Sequence, residues 1–381
     1  MNKLPNGWQT KTIGEVCEKI SAGGDRPNDC TPEKTEENQI PIFSNGIKNN
    51  GLYGYTKTPI ITKPALTVSA RGTIGFACVR YEPFFPIVRL ICAIPNDKIL
   101  VLEFLYYALQ YVIPQGEGSS IPQLTIPNFK QIKIPLPPLD EQKRIASGIS
   151  KIDAYLENTI KLIEEKERFK KAVTKKLLTC KEGENVPEMR FKEFNDEWKI
   201  IKLGDMFDNF TERNNEDKIM LASTRDKGVI PNNLTERKII RKKESLSNYK
   251  LVKKGCFVIS LMSFQGGFEY SDYEGIISPA YTVLKPKIEM AHYFYKYYFK
   301  SYKFIKDLKP YAEGIRHGKQ IKFNACKDIL VPYPSIKEQE YIGKFLSLLD
   351  AEIDNLKEQK EEIKKMKKGI INKLMNGEIK I

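Results

Sequence analysis

Apolar side chains recur every three or four residues along two stretches of the chain, Leu139–Leu178 and Ile336–Met375. This spacing keeps them on one face of a helix, so each stretch is predicted to form one α-helix about 60 Å long. The predicted apolar seams are Ile145, Ile149, Ile152, Leu156, Ile160, Ile163, Phe169, Val173 and Leu177 in the first stretch, and Ile342, Leu346, Leu349, Ile353, Leu356, Ile363, Met366, Ile370 and Leu374 in the second. A narrow seam between charged flanks requires a partner helix, and each stretch is the obvious partner of the other.

The two stretches are copies of one plan, and so are the segments that precede them. At a constant offset, Glu141-Gln142 corresponds to Glu338-Gln339 and Asp153 to Asp350. Earlier anchors match in the same order; they are Trp8 with Trp198, Leu66–Ser69 with Phe257–Ser260, and Pro135–Pro137 with Pro332–Pro334. The repeat therefore predicts a globular domain, a long helix, a second globular domain and a second long helix.

Prolines mark the predicted boundaries, because proline prevents the preceding residue from continuing a helix. We expect globular domains at 1–138 and 183–334, and long helical regions at 139–182 and 335–381. Ser335 and Glu338 fit a capping box for the second long helix, whereas the first begins with acidic residues after Pro138. Within the globular domains we predict strands at 65–68 and 75–80, strands at 255–260 and 276–284, and helices at 101–112 and 291–305.

Composition narrows the possible partners. The chain of 381 residues has 62 lysines and arginines against 48 acidic residues, a net charge of +14. Such a balance favours a polyanion, with nucleic acid first and an anionic membrane surface second. No apolar run reaches the length of a membrane span, since Arg89 interrupts the longest one at 84–95. The start of the chain does not resemble a signal peptide, and we expect no membrane association.

The chemistry of the side chains argues against a catalytic centre. Seven scattered cysteines lack a C-x-x-C pair and indicate reduced thiols in a cytoplasmic protein, and two histidines are too few for a histidine-rich metal site. The phosphate-binding and dinucleotide-binding glycine motifs, the H-E-x-x-H motif and a serine nucleophile elbow are all missing. The sequence therefore predicts no cofactor and no enzymatic activity of its own.

Two loops carry the most suggestive local chemistry. The segment Ser69–Gly75 contains Arg71 in a glycine-flanked turn, which suits either a base or phosphate contact or an ordinary hairpin with an exposed arginine. The basic loop 314–320 aligns with the polar loop 116–123. This difference is expected if the two domains bind different nucleic-acid sequences, and it is equally expected if the loops have simply diverged. A third stretch, 292–300, interleaves aromatic residues with lysine, either for base stacking or as helix core.

Taken together, these features resemble the specificity subunit of a type I restriction–modification system. The residues that carry the resemblance are Pro135–Gln142 (PLPPLDEQ), Pro332–Gln339 (PYPSIKEQ), both long helices, the segment 189–206 (MRFKEFNDEWKIIKLGDM) and Thr67–Gly75 (TVSARGTIG). The resemblance covers essentially the whole chain.

The resemblance implies an α+β protein with two α/β target recognition domains and two long helices in an antiparallel coiled coil. It implies a non-catalytic subunit that reads a bipartite, asymmetric site in double-stranded DNA. It also implies two methylation subunits as partners, and restriction subunits in the full complex. The helix pair would act as a ruler that sets the gap between the half-sites. The candidate DNA-binding residues are Gly24, Arg26, Ser69, Arg71, Thr73, Ser120 and Gln123 in the first domain, and Arg225, Ser263, Gln265, Arg316, His317 and Lys319 in the second.

Two other classes of function remain open from the sequence. One is a coiled-coil scaffold that organises protein partners without touching DNA, and it predicts no salt-dependent affinity for duplexes. The other is an enzyme such as a methyltransferase or nuclease, which predicts activity of the chain alone.

Overall fold

The structure is a computed structural model that describes residues 5–112, 124–181, 183–235, 246–261, 263–313 and 320–379. The chain divides into two compact units. Unit 1 comprises residues 1–160 and 358–381, and unit 2 comprises residues 161–357. Each unit therefore contains one globular domain and parts of both long helices.

Unit 1 is built on an antiparallel sheet of four strands, in the order β2-β8-β5-β6. A smaller sheet, β4-β3-β7, and a β1-β9 pair complete its strands. The elements of this half of the chain are β1 (Gln9–Thr12), α1 (Ile13–Val16), β2 (Cys17–Ala22), β3 (Ile40–Phe43), β4 (Leu52–Thr56), β5 (Ala65–Val68), β6 (Ala77–Arg80), β7 (Phe85–Pro86), β8 (Ile91–Pro95), α2 (Leu102–Val112), α3 (Ile126–Gln131), β9 (Lys133–Leu136) and the long helix α4 (Leu139–Leu178).

Unit 2 repeats the four-stranded antiparallel sheet, now in the order β11-β18-β15-β16. The β10-β21 pair likewise repeats β1-β9. The elements are β10 (Lys199–Lys202), α5 (Leu203–Met206), β11 (Phe207–Phe210), β12 (Leu221–Thr224), β13 (Gly228–Pro231), β14 (Lys250–Val252), β15 (Phe257–Ile259), α6 (Ser263–Gly266), β16 (Glu269–Tyr270), β17 (Gly275–Ile277), β18 (Thr282–Pro286), α7 (His292–Tyr298), α8 (Tyr302–Leu308), β19 (Ala312–Glu313), β20 (Gln320–Ile321), α9 (Phe323–Cys326), β21 (Leu330–Tyr333) and the long helix α10 (Ile336–Met375).

The predicted long helices are confirmed, and in each unit they run antiparallel. In unit 2, Lys166 contacts Glu352 at 2.7 Å, and Lys170, one turn further along α4, contacts Asp350, which lies earlier in α10. In unit 1, Asp153 of α4 forms an ion pair with Lys367 of α10. Charged residues thus flank the apolar seam and set the register of the helices, as expected of a coiled coil.

Three of the predicted seam positions are wrong. Ile160, Phe169 and Met366 are 37%, 53% and 50% exposed, whereas the neighbouring Thr159 is buried. A helix with 3.6 residues per turn drifts away from a strictly repeating seam, so positions predicted to face the partner rotate out of the interface. Phe169 and Met366 occupy equivalent places in the repeat, so the same drift occurs in both copies.

Each unit repeats one cluster of three side chains around the helix pair. In unit 1, the Tyr107 hydroxyl donates to Asp153 at 2.9 Å and the Lys367 ammonium lies over the Tyr107 ring. In unit 2, Tyr297 donates to Asp350 at 2.6 Å, and Lys170 completes the same arrangement. In each unit one carboxylate therefore links a tyrosine of the globular domain to a lysine of the other long helix.

The repeated Glu-Gln pair at the start of each long helix has a structural role. Gln142 is fully buried; its amide donates to the carbonyl of Pro137 at 2.8 Å, and its oxygen accepts from the Val101 amide at 2.9 Å. Gln339 makes the same bonds to Pro334 and Ala291, at 2.8 and 2.9 Å. Each glutamine satisfies buried backbone groups at the domain boundary, which explains why the motif occurs twice.

Other local predictions need correction. The Ser335 hydroxyl accepts from the Glu338 amide at 3.3 Å, but the Glu338 carboxylate binds Arg190 instead of closing the capping box. The helix predicted at 291–305 is two helices, because Ser301 caps a new one. The strand predicted at 276–284 is also two, β17 and β18, which pair with different partners.

Candidate nucleic-acid interface

The loop between β5 and β6 of unit 1 is a tight turn that presents Arg71 and Thr73 to solvent. Gly72 and Gly75 have φ angles of 71° and 84°, a region that side chains disfavour. Ser69 is 1% exposed, and its hydroxyl accepts from the Gly46 amide at 3.3 Å. Ser69 therefore shapes the loop rather than offering its hydroxyl to a ligand, which corrects its predicted role as a contact.

A second loop, residues 23–26, lies against the turn 87–90. The Val88 amide donates to the Gly24 carbonyl, and the Arg89 amide to the Gly23 carbonyl, both at 2.9 Å. A Cβ on Gly23 would stand 2.6 Å from the Ile87 nitrogen, so only glycine permits this approach. The pairing fixes the exposed residues Gly24 and Arg26 beside Arg89.

Asn45 joins these loops to the hairpin. Its side-chain oxygen accepts from the Ala70 amide at 2.8 Å, and its amide nitrogen donates to the Val88 carbonyl at 2.6 Å. The three loops enclose a cavity of about 310 Å³ lined by Gly23, Gly24, Asp25, Arg26, Arg71, Val88 and Arg89. The structure thus brings Gly24 and Arg26 together with Arg71, which lies much further along the chain.

Three arginines line this one cavity against a single aspartate, so its surface is basic. The hydroxyl of Tyr53 raises the pKa of Arg26, so that residue stays charged. Asp25 supplies the one carboxylate among the lining residues. Neither Arg89 nor Asn45 was predicted from sequence. The only signal for Arg89 was that it interrupts an apolar run, and nothing in the local pattern marks Asn45.

In unit 2, the corresponding hairpin loop between β15 and β16 contains the short helix α6. Ser263 begins this helix and Gln265 is exposed on it. Arg225 lies in the exposed β12-β13 turn, and a Cβ on Gly266 would stand 3.3 Å from its Cγ. The structure therefore places the predicted residue Arg225 next to the short helix that carries Ser263 and Gln265.

A buried ion pair supports this second surface. Lys300 contacts Glu269 and also donates to the Arg225 carbonyl at 2.9 Å. Glu269 is 2% exposed, and burial, which outweighs the attraction of Lys300, raises its pKa to about 7. Burial also lowers the pKa of Lys300. The pair ties the Arg225 turn to β16 through charges that are costly to bury.

Five predicted residues, Ser120, Gln123, Arg316, His317 and Lys319, lie outside the described ranges. Within the aromatic stretch 292–300, Phe294, Tyr295, Tyr298 and Phe299 are each at most 1% exposed and belong to the core, so these four rings cannot stack on bases in this fold. Among the helices of the described ranges, none is both long and apolar enough to cross a membrane.

Comparison with protein families gives a match to the type I restriction modification DNA specificity domain at residues 5–165 and again at 195–365. The two matches fall on the two copies of the internal repeat. Together they cover most of the chain.

Individual relatives agree. A segment of 143 residues is 38% identical to a Mycoplasma pneumoniae protein named as a type I specificity subunit, and it spans 42% of that protein. The whole chain aligns at 27% identity with the specificity subunit of the type I restriction enzyme MjaVIII of Methanocaldococcus jannaschii, covering 94% of it.

The fold also matches solved structures. The crystal structure of a type I restriction–modification S subunit from M. genitalium superposes with a TM-score of 0.59 at 19% identity, covering 98% of this chain and 97% of that one. A chain from a structural study of complex assembly in the type I system gives a TM-score of 0.57 at 16% identity, with both chains fully covered. At these low sequence identities, the structural similarity is evidence for a shared fold.

Proposed function

The chain belongs to the type I restriction–modification DNA specificity family, and on that premise we propose that it is the DNA-reading subunit of such a complex. Unit 1 would read one half of a bipartite site and unit 2 the other, in the cytoplasm. The observation that carries this proposal is the contrast within the repeat. The four-stranded sheet and the tyrosine–aspartate–lysine contacts of the helix pair are repeated in both units, whereas the loops that present Arg71 and Gln265 differ.

The basic cavity of unit 1 favours DNA reading over the scaffold alternative. A scaffold needs the helix pair but gives no reason to gather Arg26, Arg71 and Arg89 at one point on a distant loop surface. Base-reading surfaces combine such donors with fixed loops, and phosphate contacts add affinity that does not depend on sequence.

The repeated clusters at Asp153 and Asp350 support two equivalent partners. Identical contacts on the helix pair in each unit would let two copies of a methylation subunit bind in the same way. Restriction subunits would join this assembly. Methyl transfer and cleavage would belong to those partners, because the sequence offers no nucleotide or cofactor motif of its own.

The decisive experiment is a salt titration of duplex binding by the chain assembled with its methylation subunits. We expect the logarithm of the binding constant to fall linearly with the logarithm of salt concentration, with a further preference for one bipartite sequence. Duplex binding that depends neither on salt concentration nor on DNA sequence would favour the scaffold alternative. Methylation by the purified chain alone would favour an enzyme.

The ruler hypothesis needs its own test. Inserting four residues at matched points of α4 and α10 should change the preferred gap between half-sites while leaving both half-sites unchanged. An unaltered gap would end this hypothesis without affecting the assignment of the two readers.

A further inference from the structure

The cavity of unit 1 contains more than a basic patch needs. A phosphate contact requires only exposed lysine or arginine on a flexible stem. Here Arg26, Arg71 and Arg89 surround a concave space together with Asp25, and the backbone of each lining loop is fixed by hydrogen bonds. This arrangement indicates a site for a planar group of defined shape.

The turn that presents Arg89 is strained. Val88 and Arg89 have φ angles of 53° and 59°, and such a conformation is rare, above all for a β-branched residue. Both amides bond to the 23–24 loop, and the Val88 carbonyl accepts from Asn45. Strain of this kind persists where the surroundings over-determine it and is typical of functional sites. The hydrogen bonds around the turn offset the cost of this backbone conformation and fix the position of the Arg89 backbone.

The lining residues match the two edges of one base pair. An arginine guanidinium can donate both of its parallel bonds to O6 and N7 of guanine in the major groove. A carboxylate can accept from N4 of the paired cytosine. Asp25 would repel a phosphate, so its presence among the arginines favours base edges over the DNA backbone.

Resting on the function proposed above, we infer that Arg89, with Arg71 and Asp25, reads a G·C base pair in the half-site bound by unit 1. Arg89 is the specificity-determining residue, and the Val88–Arg89 turn is the device that orients it. Asn45 and Gly23 are positioning residues for that turn, because they hold its backbone rather than the base.

The experiment is a selection of bound duplexes from a randomised library by the chain assembled with its methylation subunits. Four proteins are compared, namely wild type, Arg89→Ala, Arg89→Lys and the control Arg144→Ala, which changes an exposed arginine on α4 far along the chain from these loops. Thermal unfolding of each complex confirms that the exposed substitutions leave the fold intact.

We expect the wild type to select G·C at one position of a half-site. Both Arg89 variants should relax that position alone, by roughly 10- to 100-fold, while every other position and the Arg144→Ala selection stay unchanged. The lysine variant is decisive because it keeps the charge but loses the bidentate fork.

Retained selectivity in Arg89→Lys, together with a uniform loss of affinity in Arg89→Ala, would show a phosphate contact. That result would overturn this inference and leave the DNA-reading function standing. Relaxation at an A·T position would also overturn it. A wild-type complex that selects no sequence at all would refute the proposed function itself.

Discussion

Unit 1 and unit 2 carry the same four-stranded sheet and the same attachment to the helix pair, but they stabilise their loops in different ways. Unit 1 uses hydrogen bonds between backbones, with Asn45 as a bridge. Unit 2 uses a buried ion pair, Glu269 with Lys300, and a short helix. The repeat is kept where both units contact the same helices, and it diverges in the loops that we propose face DNA.

The largest contrast concerns a glycine in each hairpin loop. Gly267 has a φ of 75°, and a Cβ there would stand 1.7 Å from the Phe299 carbonyl oxygen, whereas Gly72 has a φ of 71° and open space around it. Gly267→Ala should therefore cost unit 2 more than about 4 kcal/mol. Gly72→Ala should cost unit 1 only about 1–2 kcal/mol, from the backbone conformation.

The chain provides a reporter for each unit, because its two tryptophans are Trp8 in unit 1 and Trp198 in unit 2. Urea unfolding followed by tryptophan fluorescence, in Trp8→Phe and Trp198→Phe backgrounds, measures the two units separately. Equal costs for the two glycine substitutions would show that the loop of unit 2 rearranges to admit the side chain.

The first turns of the long helices give the next contrast. Glu338 is 1% exposed and binds Arg190 through two bonds of 2.8 Å, whereas the partly exposed Glu141 accepts one bond of 3.1 Å from the Trp8 indole. Glu338→Ala strands a largely buried guanidinium and should cost about 3 kcal/mol. Glu141→Ala should cost about 1 kcal/mol.

A double-mutant cycle with Arg190→Ala tests the assignment of that cost. The two substitutions together should cost less than the sum of the single ones, because the second removes the stranded partner. Strict additivity would show that Glu338 acts through its place in the first helical turn and not through Arg190.

The pH dependence of stability distinguishes the loop region of unit 2 from that of unit 1. Burial raises the pKa of Glu269 from its ordinary 4.5 to about 7, so folded unit 2 keeps a proton that the unfolded chain releases. Between about pH 4.5 and pH 7, the stability of unit 2 should therefore fall as pH rises, by at most about 1.4 kcal/mol per unit. Unit 1 has Cys78 at the equivalent strand position, and burial raises the pKa of this thiol further above neutrality.

Unfolding of wild type and Glu269→Gln at several pH values isolates this carboxyl. Burial lowers the pKa of His292, so this imidazole contributes a slope of the opposite sign, namely stability lost as pH falls. The difference between the two proteins removes that contribution. Parallel pH profiles would mean that Glu269 does not change its protonation on folding in this range.

The long helices and the repeat could be predicted from sequence because their signals are periodic and local. The bounds Leu139–Leu178 and Ile336–Met375 match the apolar pattern. The candidate interface residues come together through pairings between segments distant in sequence, and such pairings leave no local pattern in the sequence. Arg89 looked like an interruption of an apolar run, and Asn45 can bridge only because two loops 25 and 43 residues further along the chain fold onto it.

Ser69 illustrates a second limit of prediction from sequence. Its place in a glycine-rich loop suggested a ligand contact, but the same small polar side chain also suits a buried bond to Gly46. Only the packing of the 44–51 segment over the hairpin decides between the two roles. The sequence therefore predicted a solvent-facing loop but not which of its side chains point outward.

The repeated carboxylates on the long helices test the repeat most directly. Asp153 and Asp350 each accept a tyrosine hydroxyl and pair with a lysine, at 31% and 35% side-chain exposure. Asp153→Asn and Asp350→Asn keep the shape and one acceptor but remove the charge, so each should cost its own unit about 1–2 kcal/mol. Matched losses, read from Trp8 and Trp198 respectively, would show that the two clusters are energetically equivalent. A cost confined to one of them would mean that the two clusters share their geometry but contribute differently to the stability of their units. Two identical partner subunits would then bind surfaces of unequal stability.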